Sequence, residues 1–258
     1  MDRIKTAFEK SKANNKLALM PFLVAGFPNL NQSLKLLKTL AKKVDFLEIG
    51  FPFSDPLADG PIIQEADQIA LRAGSRTKKV FNTIKNLRKT TEIPITVLVY
   101  SNLIYQYGIE KFYRDAKKVG IDGVLVPDLP IEEMKIFIKS ARKNSIANIC
   151  MVSTNTNFAR LKNILKVAEG FIYLTSLVGV TGERKNIPKK TLTYLKKLKR
   201  QTKLPVAVGF GVSNSTQVRK LKSYGADGVI VGSALIKLIS RSQKFNHQRL
   251  VRFLEGLI

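Results

Sequence analysis

The chain has 258 residues, 45% of them hydrophobic, one cysteine, one histidine and a formal net charge of +25. That length buries one large core, a single cysteine excludes an internal disulfide, and no apolar run approaches the ~20 residues of a membrane span. With His247 the only imidazole, in a basic C-terminal segment and expected on a solvated helix face, acid–base chemistry falls to Asp, Glu, Tyr, Lys or Cys.

Elements follow in a regular order. Residues 1–10 lack the apolar core of a secretion signal and read as a short helix. Strand-like runs fall at 17–25, 44–49, 95–100, 123–128, 147–152, 171–175, 205–209 and 228–232. Helical patterns follow each of them: 33–40 (started by Asn29 or Asn31), 62–72 with a second at 77–89, 109–118, 131–143, 158–167, from about 188, 213–224, and a terminal segment after 233. No charge block or Gly/Ser linker divides these eight units. Strands apolar enough to be covered on both sides point to a parallel sheet. The expected architecture is therefore a single (β/α)8 barrel over residues 1–258, with an N-terminal helix and an extra helical segment after strand 2. An open doubly wound sheet is the alternative.

The positive charge is spread along helical patterns, with lysine pairs at 42–43, 78–79, 117–118, 189–190 and 196–197. It is not gathered in one arm or interleaved with stacking aromatics, so no nucleic-acid partner is expected. A diffuse positive field favours an anionic substrate and an acidic partner protein. Cys150, in an apolar run, reads as a buried inert thiol. No metal cluster or dinucleotide fingerprint is present in the sequence.

The working face of such a barrel is the ring of loops after the strands. Glu48 lies near the end of strand 2, and alternation places it with Phe46 and Gly50 on the face opposite Leu47 and Ile49. A carboxylate inside an apolar layer must be paired, protonated or employed, and a salt bridge within the barrel is the plain alternative. Asp55, Asp59 and Asp128 fall on the same rim. Each also suits a purely structural role. Asp55 fits a turn between prolines, Asp59 a turn into a helix with Pro61 at its first position, and Asp128 the start of the helix after strand 4.

Glycines 179, 182, 209, 211 and 232, with Ser233, follow strands 6 to 8. Glycines let backbone amides approach a phosphate, and a helix beginning at Ser233 would turn its positive end toward it. Phe22, Leu98, Tyr100, Tyr173 and Phe210 are candidates to line the mouth between carboxylates and phosphate, and 176–187 suits a lid. These features describe an aromatic phosphate ester as substrate. A sugar-phosphate isomerase or synthase, and a catalytically silent subunit that activates a partner, remain alternatives.

Residues 48–61, Glu-Ile-Gly-Phe-Pro-Phe-Ser-Asp-Pro-Leu-Ala-Asp-Gly-Pro, resemble the signature of the tryptophan synthase alpha chain family, and the glycines at 179 and 182, 209 and 211, and 232 with Ser233 match its phosphate loops in order. Pro127 and Leu177 depart from residues that some members carry there. The resemblance implies a lyase of tryptophan biosynthesis that splits indole-3-glycerol phosphate into indole and glyceraldehyde 3-phosphate by a retro-aldol cleavage. It implies Glu48 as general acid and base, Asp59 as acceptor for the indole N–H, and Thr181 as the residue holding Asp59 under a closed lid. Phe22, Leu98, Leu125, Tyr173 and Phe210 would line the indole pocket; Gly182, Gly211, Gly232 and Ser233 would hold the phosphate. Asp55 and Pro56 would meet a beta chain in an α2β2 tetramer, with pyridoxal phosphate in that partner and no cofactor in this chain. The Lys-, Asn- and Ile-rich composition favours a plastid-encoded origin, a bacterial cytoplasmic one being the alternative.

Overall fold

A computed structural model describes residues 2–175, 187–209, 211–240 and 247–257. The described residues form eight parallel strands closed in the order β1 to β8, as the alternation of apolar runs and amphipathic segments requires. Helix α1 (Arg3–Ala13) precedes β1 (Ala18–Val24), α2 (Leu30–Leu40), β2 (Leu47–Gly50), α3 (Pro61–Arg72) and α4 (Thr77–Arg88). Then come β3 (Ile95–Leu98), α5 (Ser101–Tyr107), α6 (Ile109–Val119), β4 (Gly123–Leu125), α7 (Lys135–Lys143), β5 (Ala147–Ser153) and α8 (Phe158–Val167). The last quarter holds β6 (Ile172–Thr175), α9 (Lys189–Lys199), β7 (Val206–Gly209), α10 (Ser215–Ser223), β8 (Gly228–Val231), α11 (Ser233–Ser240) and α12 (His247–Glu255). None of the described helices is long and apolar enough to cross a membrane.

Local chemistry sets the helix starts. Asn29, Asn157 and Asn214 accept hydrogen bonds from the amides of Gln32, Arg160 and Gln217, three residues on. Asn29, not Asn31, thus caps α2. Proline at the first position opens α3, where its missing N–H costs nothing. Helix α5 is not foreshadowed by any periodicity; it has seven residues and is ended by Gly108 at φ 88°. The segment before α7 opens as a 3-10 turn at Ile131–Glu133. Asp128 does not begin its own helix; its carboxylate accepts the Ser101 amide at 2.9 Å and the Ser101 hydroxyl at 2.7 Å, holding the start of α5 instead.

Partners across a parallel register point to the same side of the sheet. The pairings Phe22 with Glu48, Glu48 with Thr96, Leu98 with Leu125, Met151 with Tyr173 and Gly209 with Ile230 therefore trace one surface around the closed barrel. That surface is the interior. Phe46 of the run into β2 meets Phe171, which precedes β6 on the far side, at 6.2 Å between ring centroids. Helix α1 seals this end, its Phe8 lying 4.8 Å from the Phe46 ring. Beneath the seal, Asp122 accepts from Arg3 at 3.1 Å, Arg88 at 2.8 Å and the Ile95 amide at 2.8 Å. The bottom of the barrel is closed by rings and charges, so only the opposite rim can admit a substrate.

Candidate active site

Glu48 lies one alternation above Phe46 on the inner surface of β2 and is fully buried. Neither carboxyl oxygen has a hydrogen-bond partner among the described residues, so the salt-bridged alternative does not hold. Burial first, and then the charge of Asp59, push its carboxyl up to about 8. A lone carboxyl in a closed apolar barrel keeps its proton because its ionised form has nothing to replace water. Near neutral pH Glu48 is an acid with an undonated proton.

Asp59 ends the loop that β2 feeds. Burial raises its carboxyl to about 6, while a hydrogen bond from Tyr100 pulls the other way. The Tyr100 hydroxyl donates to Asp59 Oδ2 at 2.7 Å and accepts the Ala58 amide at 3.2 Å. Two carboxyls at one mouth are thus separated in acidity, one protonated and one ionised at pH 7. Such a separation marks acid and base roles at a shared site.

The walls come from the same inner surface. Leu98 and Leu125 are buried, and Phe22 is 4% exposed. The Phe22 ring is wedged between two glycines: a Cβ on Gly50 would stand 2.7 Å from Phe22 Cζ, and one on Gly232 3.2 Å from Phe22 Cδ1. Gly50 follows Glu48 and Gly232 opens α11, so one ring spans the carboxylate side and the glycine side. Tyr173 lies against Gly209, where a Cβ would clash with its hydroxyl. Burial, Glu48 and Asp59 all hold the Tyr173 phenol well above its usual range, so this side chain faces both carboxyls.

Gly211, at φ 54°, and Gly232 with the buried Ser233 stand after β7 and β8 on this rim. Thr181, Gly182 and Phe210, with most of the expected lid, lie outside the described residues. Asp55 is exposed and accepts the Ser54 hydroxyl at 2.8 Å. Pro56 beside it is buried, and Leu57, next along the same loop, is 91% exposed. The backbone turns there, the Asp59 amide donating to the Pro56 carbonyl. Cys150 is buried and free, with burial pushing its thiol up to about 12, as an inert thiol should be.

Two features escaped the sequence. Tyr100 stood there only as a wall residue, not as the donor that aims Asp59. Asp67 of α3 is 4% exposed, and its carboxyl rises to about 8 through burial and then the Asp59 charge, against a hydrogen bond from the Phe53 amide. Its signal was available: Ile63, Ala66 and Ala70 define the buried face of α3, and Asp67 falls on it.

A family profile described as tryptophan synthase alpha chain matches residues 8–256. The chain is 49% identical over 224 residues to the tryptophan synthase alpha chain of Methanothermobacter thermautotrophicus, covering 86% of this chain and 83% of that one. It is 41% identical over 240 residues to that of Prochlorococcus marinus, covering 93% and 90%. Among solved structures it resembles a chain of the tryptophan synthase α2β2 complex of Pyrococcus furiosus, with TM-score 0.89, 40% identity and coverage of 93% and 97%. Mycobacterium tuberculosis tryptophan synthase gives TM-score 0.92 at 30% identity, with coverage of 99% and 96%. These organisms are archaeal and bacterial, which gives the plastid origin no support.

Proposed function

Since this chain belongs to the tryptophan synthase alpha chain family, we propose that it cleaves indole-3-glycerol phosphate to indole and glyceraldehyde 3-phosphate, with Glu48 as general acid and base. The observation that carries this reading is the buried, unpartnered Glu48 carboxyl beside a carboxylate of lower proton affinity.

In the first step Glu48 delivers its proton to the indole carbon that bears the side chain. Positive charge develops on the ring nitrogen, and ionised Asp59 accepts the N–H and stabilises it. Glu48, now a carboxylate, takes the proton of the side-chain hydroxyl. The carbon–carbon bond breaks, its electron pair restores the aromatic ring, and the hydroxyl carbon becomes the aldehyde. One proton enters and one leaves through the same residue, so Glu48 returns to its starting state. Positioned acid–base catalysis of this kind contributes ~10²–10⁴-fold. A carboxyl near 8 is a far better match to both half-reactions at neutral pH than an ordinary one.

Phe22, Leu98, Leu125, Tyr173 and Phe210 form the indole walls in this reading. Gly182, Gly211, Gly232 and Ser233 hold the phosphate, and Thr181 engages Asp59 when the lid closes. Asp55 and Pro56 lie in the loop that would meet the beta chain of an α2β2 assembly, with the exposed Leu57 beside them. That partner carries the pyridoxal phosphate that consumes indole, and this chain needs no cofactor of its own. The test is indole release from indole-3-glycerol phosphate by the purified chain, with and without a tryptophan synthase beta chain. Turnover of the parent and none by Glu48→Gln is the result expected; a parent chain that releases no indole even with the beta chain overturns the proposal.

A further inference from the structure

Asp59 ends a tight backbone turn that one side chain of α3 clamps from outside. The Asp59 amide donates to the Pro56 carbonyl at 2.9 Å, closing the turn. Gln64, half-buried and one turn into α3, sends its Nε2 to both ends of it. It donates to the Asp59 carbonyl at 2.8 Å and, more loosely, to the Pro56 carbonyl at 3.5 Å. The helix ladder cannot serve the Asp59 carbonyl, because the Gln64 amide already donates one residue later, to the Gly60 carbonyl at 2.9 Å. A partly buried carbonyl needs a donor, and the Gln64 side chain supplies it.

Tyr100 holds the same turn from the other side. Its hydroxyl accepts the Ala58 amide at 3.2 Å and donates to Asp59 Oδ2 at 2.7 Å. Asp59 is thus gripped at its carbonyl by α3 and at its carboxylate by the residue after β3. With the first grip gone the peptide can rotate, and the carboxylate leaves its line with Tyr100. Gln68, which donates to the Ser54 carbonyl at 3.1 Å, steadies only the far end of the loop. We propose that Gln64 is a positioning residue for the indole-releasing reaction, clamping the turn that carries Asp59 so that its carboxylate meets both Tyr100 and the indole N–H; this rests on the lyase reading above.

Gln64→Met and Gln64→Lys in the full chain isolate the clamp. Methionine keeps the length of the side chain but has no donor, whereas lysine carries a donor that reaches the same carbonyl. All three residues suit a helix about equally well, so α3 itself is not weakened. Among the described residues, the titratable groups that interact with Asp59 are Glu48, Asp67, Tyr100 and Tyr173, none of which brings a positive charge.

Gln64→Met should lower kcat about three- to tenfold, the range of one hydrogen bond. KM should change less, because the Asp59 contact strengthens as charge develops on the ring nitrogen. An Asp59 that meets Tyr100 less well holds its proton longer. Its titration midpoint, followed by carbon NMR in the substrate-free protein, should therefore move upward from near 6. Gln64→Lys should recover most of kcat and move that midpoint downward, its ammonium favouring the carboxylate. The titration needs no catalysis, and a merely structural role would not shift it. A parent that releases indole while Gln64→Met matches its kcat and its Asp59 titration overturns this proposal alone, as does a Gln64→Lys variant as slow as Gln64→Met. A parent that releases no indole overturns the lyase reading, and with it this role.

Discussion

Tyr100 donates to Asp59 Oδ2 at 2.7 Å, so a side chain just past β3 aims a carboxylate supplied by the loop after β2. The bond offsets part of the burial that would otherwise keep Asp59 protonated at neutral pH. Tyr100→Phe removes it and leaves the Ala58 amide unpaired. A hydrogen bond to a charged group contributes ~1.5–3 kcal/mol, so kcat/KM for indole release should fall at least about tenfold at pH 7. Asp59 then holds its proton to higher pH, and the acidic limb of the pH–rate profile should move upward from near 6. Initial rates across pH 5–8 check both.

Gly50→Ala should damage the pocket without touching a carboxyl. Its Cβ would stand 2.7 Å from Phe22 Cζ, and Gly232 blocks retreat on the other side. Overpacking of this kind costs ~1–3 kcal/mol. We expect a KM raised about tenfold, a lower melting temperature and a nearly unchanged alkaline limb, measured by steady-state kinetics and thermal unfolding.

Glu48 should weaken the fold as pH rises. Its folded-state carboxyl is raised from 4.5 to about 8. Between those values the unfolded chain releases a proton that the folded chain retains, so stability present below about 4.5 is lost as pH climbs toward 8. Glu48→Gln abolishes that dependence. Urea midpoints for parent and variant should diverge in the variant's favour from pH 5 to pH 8.

Asp122 belongs to the closed end of the barrel, where it pairs with Arg3 and Arg88 and accepts the Ile95 amide. Arg88 and Asp122 are only 13% and 12% exposed in their side chains. Breaking a buried pair on one side costs ~3–5 kcal/mol, reduced here because Arg88 keeps carbonyl partners. Asp122→Ala should lose about 2–3 kcal/mol of unfolding free energy while kcat and KM at the opposite rim stay as in the parent. Denaturant unfolding alongside the indole assay tests this separation.

Much of the fold was legible in the sequence because barrel strands carry a strong signal: apolar runs separated by amphipathic helices, with Asn caps and prolines at predictable places. The inward direction of Glu48 followed from alternation with Phe46 and Gly50, and the register around the barrel bears it out. What stayed hidden depends on contacts between units. Helix α5 is too short to show a period, and Asp128 caps a helix from the preceding unit. Asp67 was visible as a carboxylate on an apolar helix face, but its burial near the Asp59 charge required the fold.

The most direct test of the central claim is the pH profile of kcat/KM for indole release by the parent, Glu48→Gln and Asp59→Asn. With Glu48 needed as an acid and Asp59 as an anion, the parent should rise through about pH 6 and fall through about pH 8. Glu48→Gln should show no more than the background rate at any pH. A Glu48→Gln variant that keeps the parent's rate and bell-shaped profile would contradict the assignment.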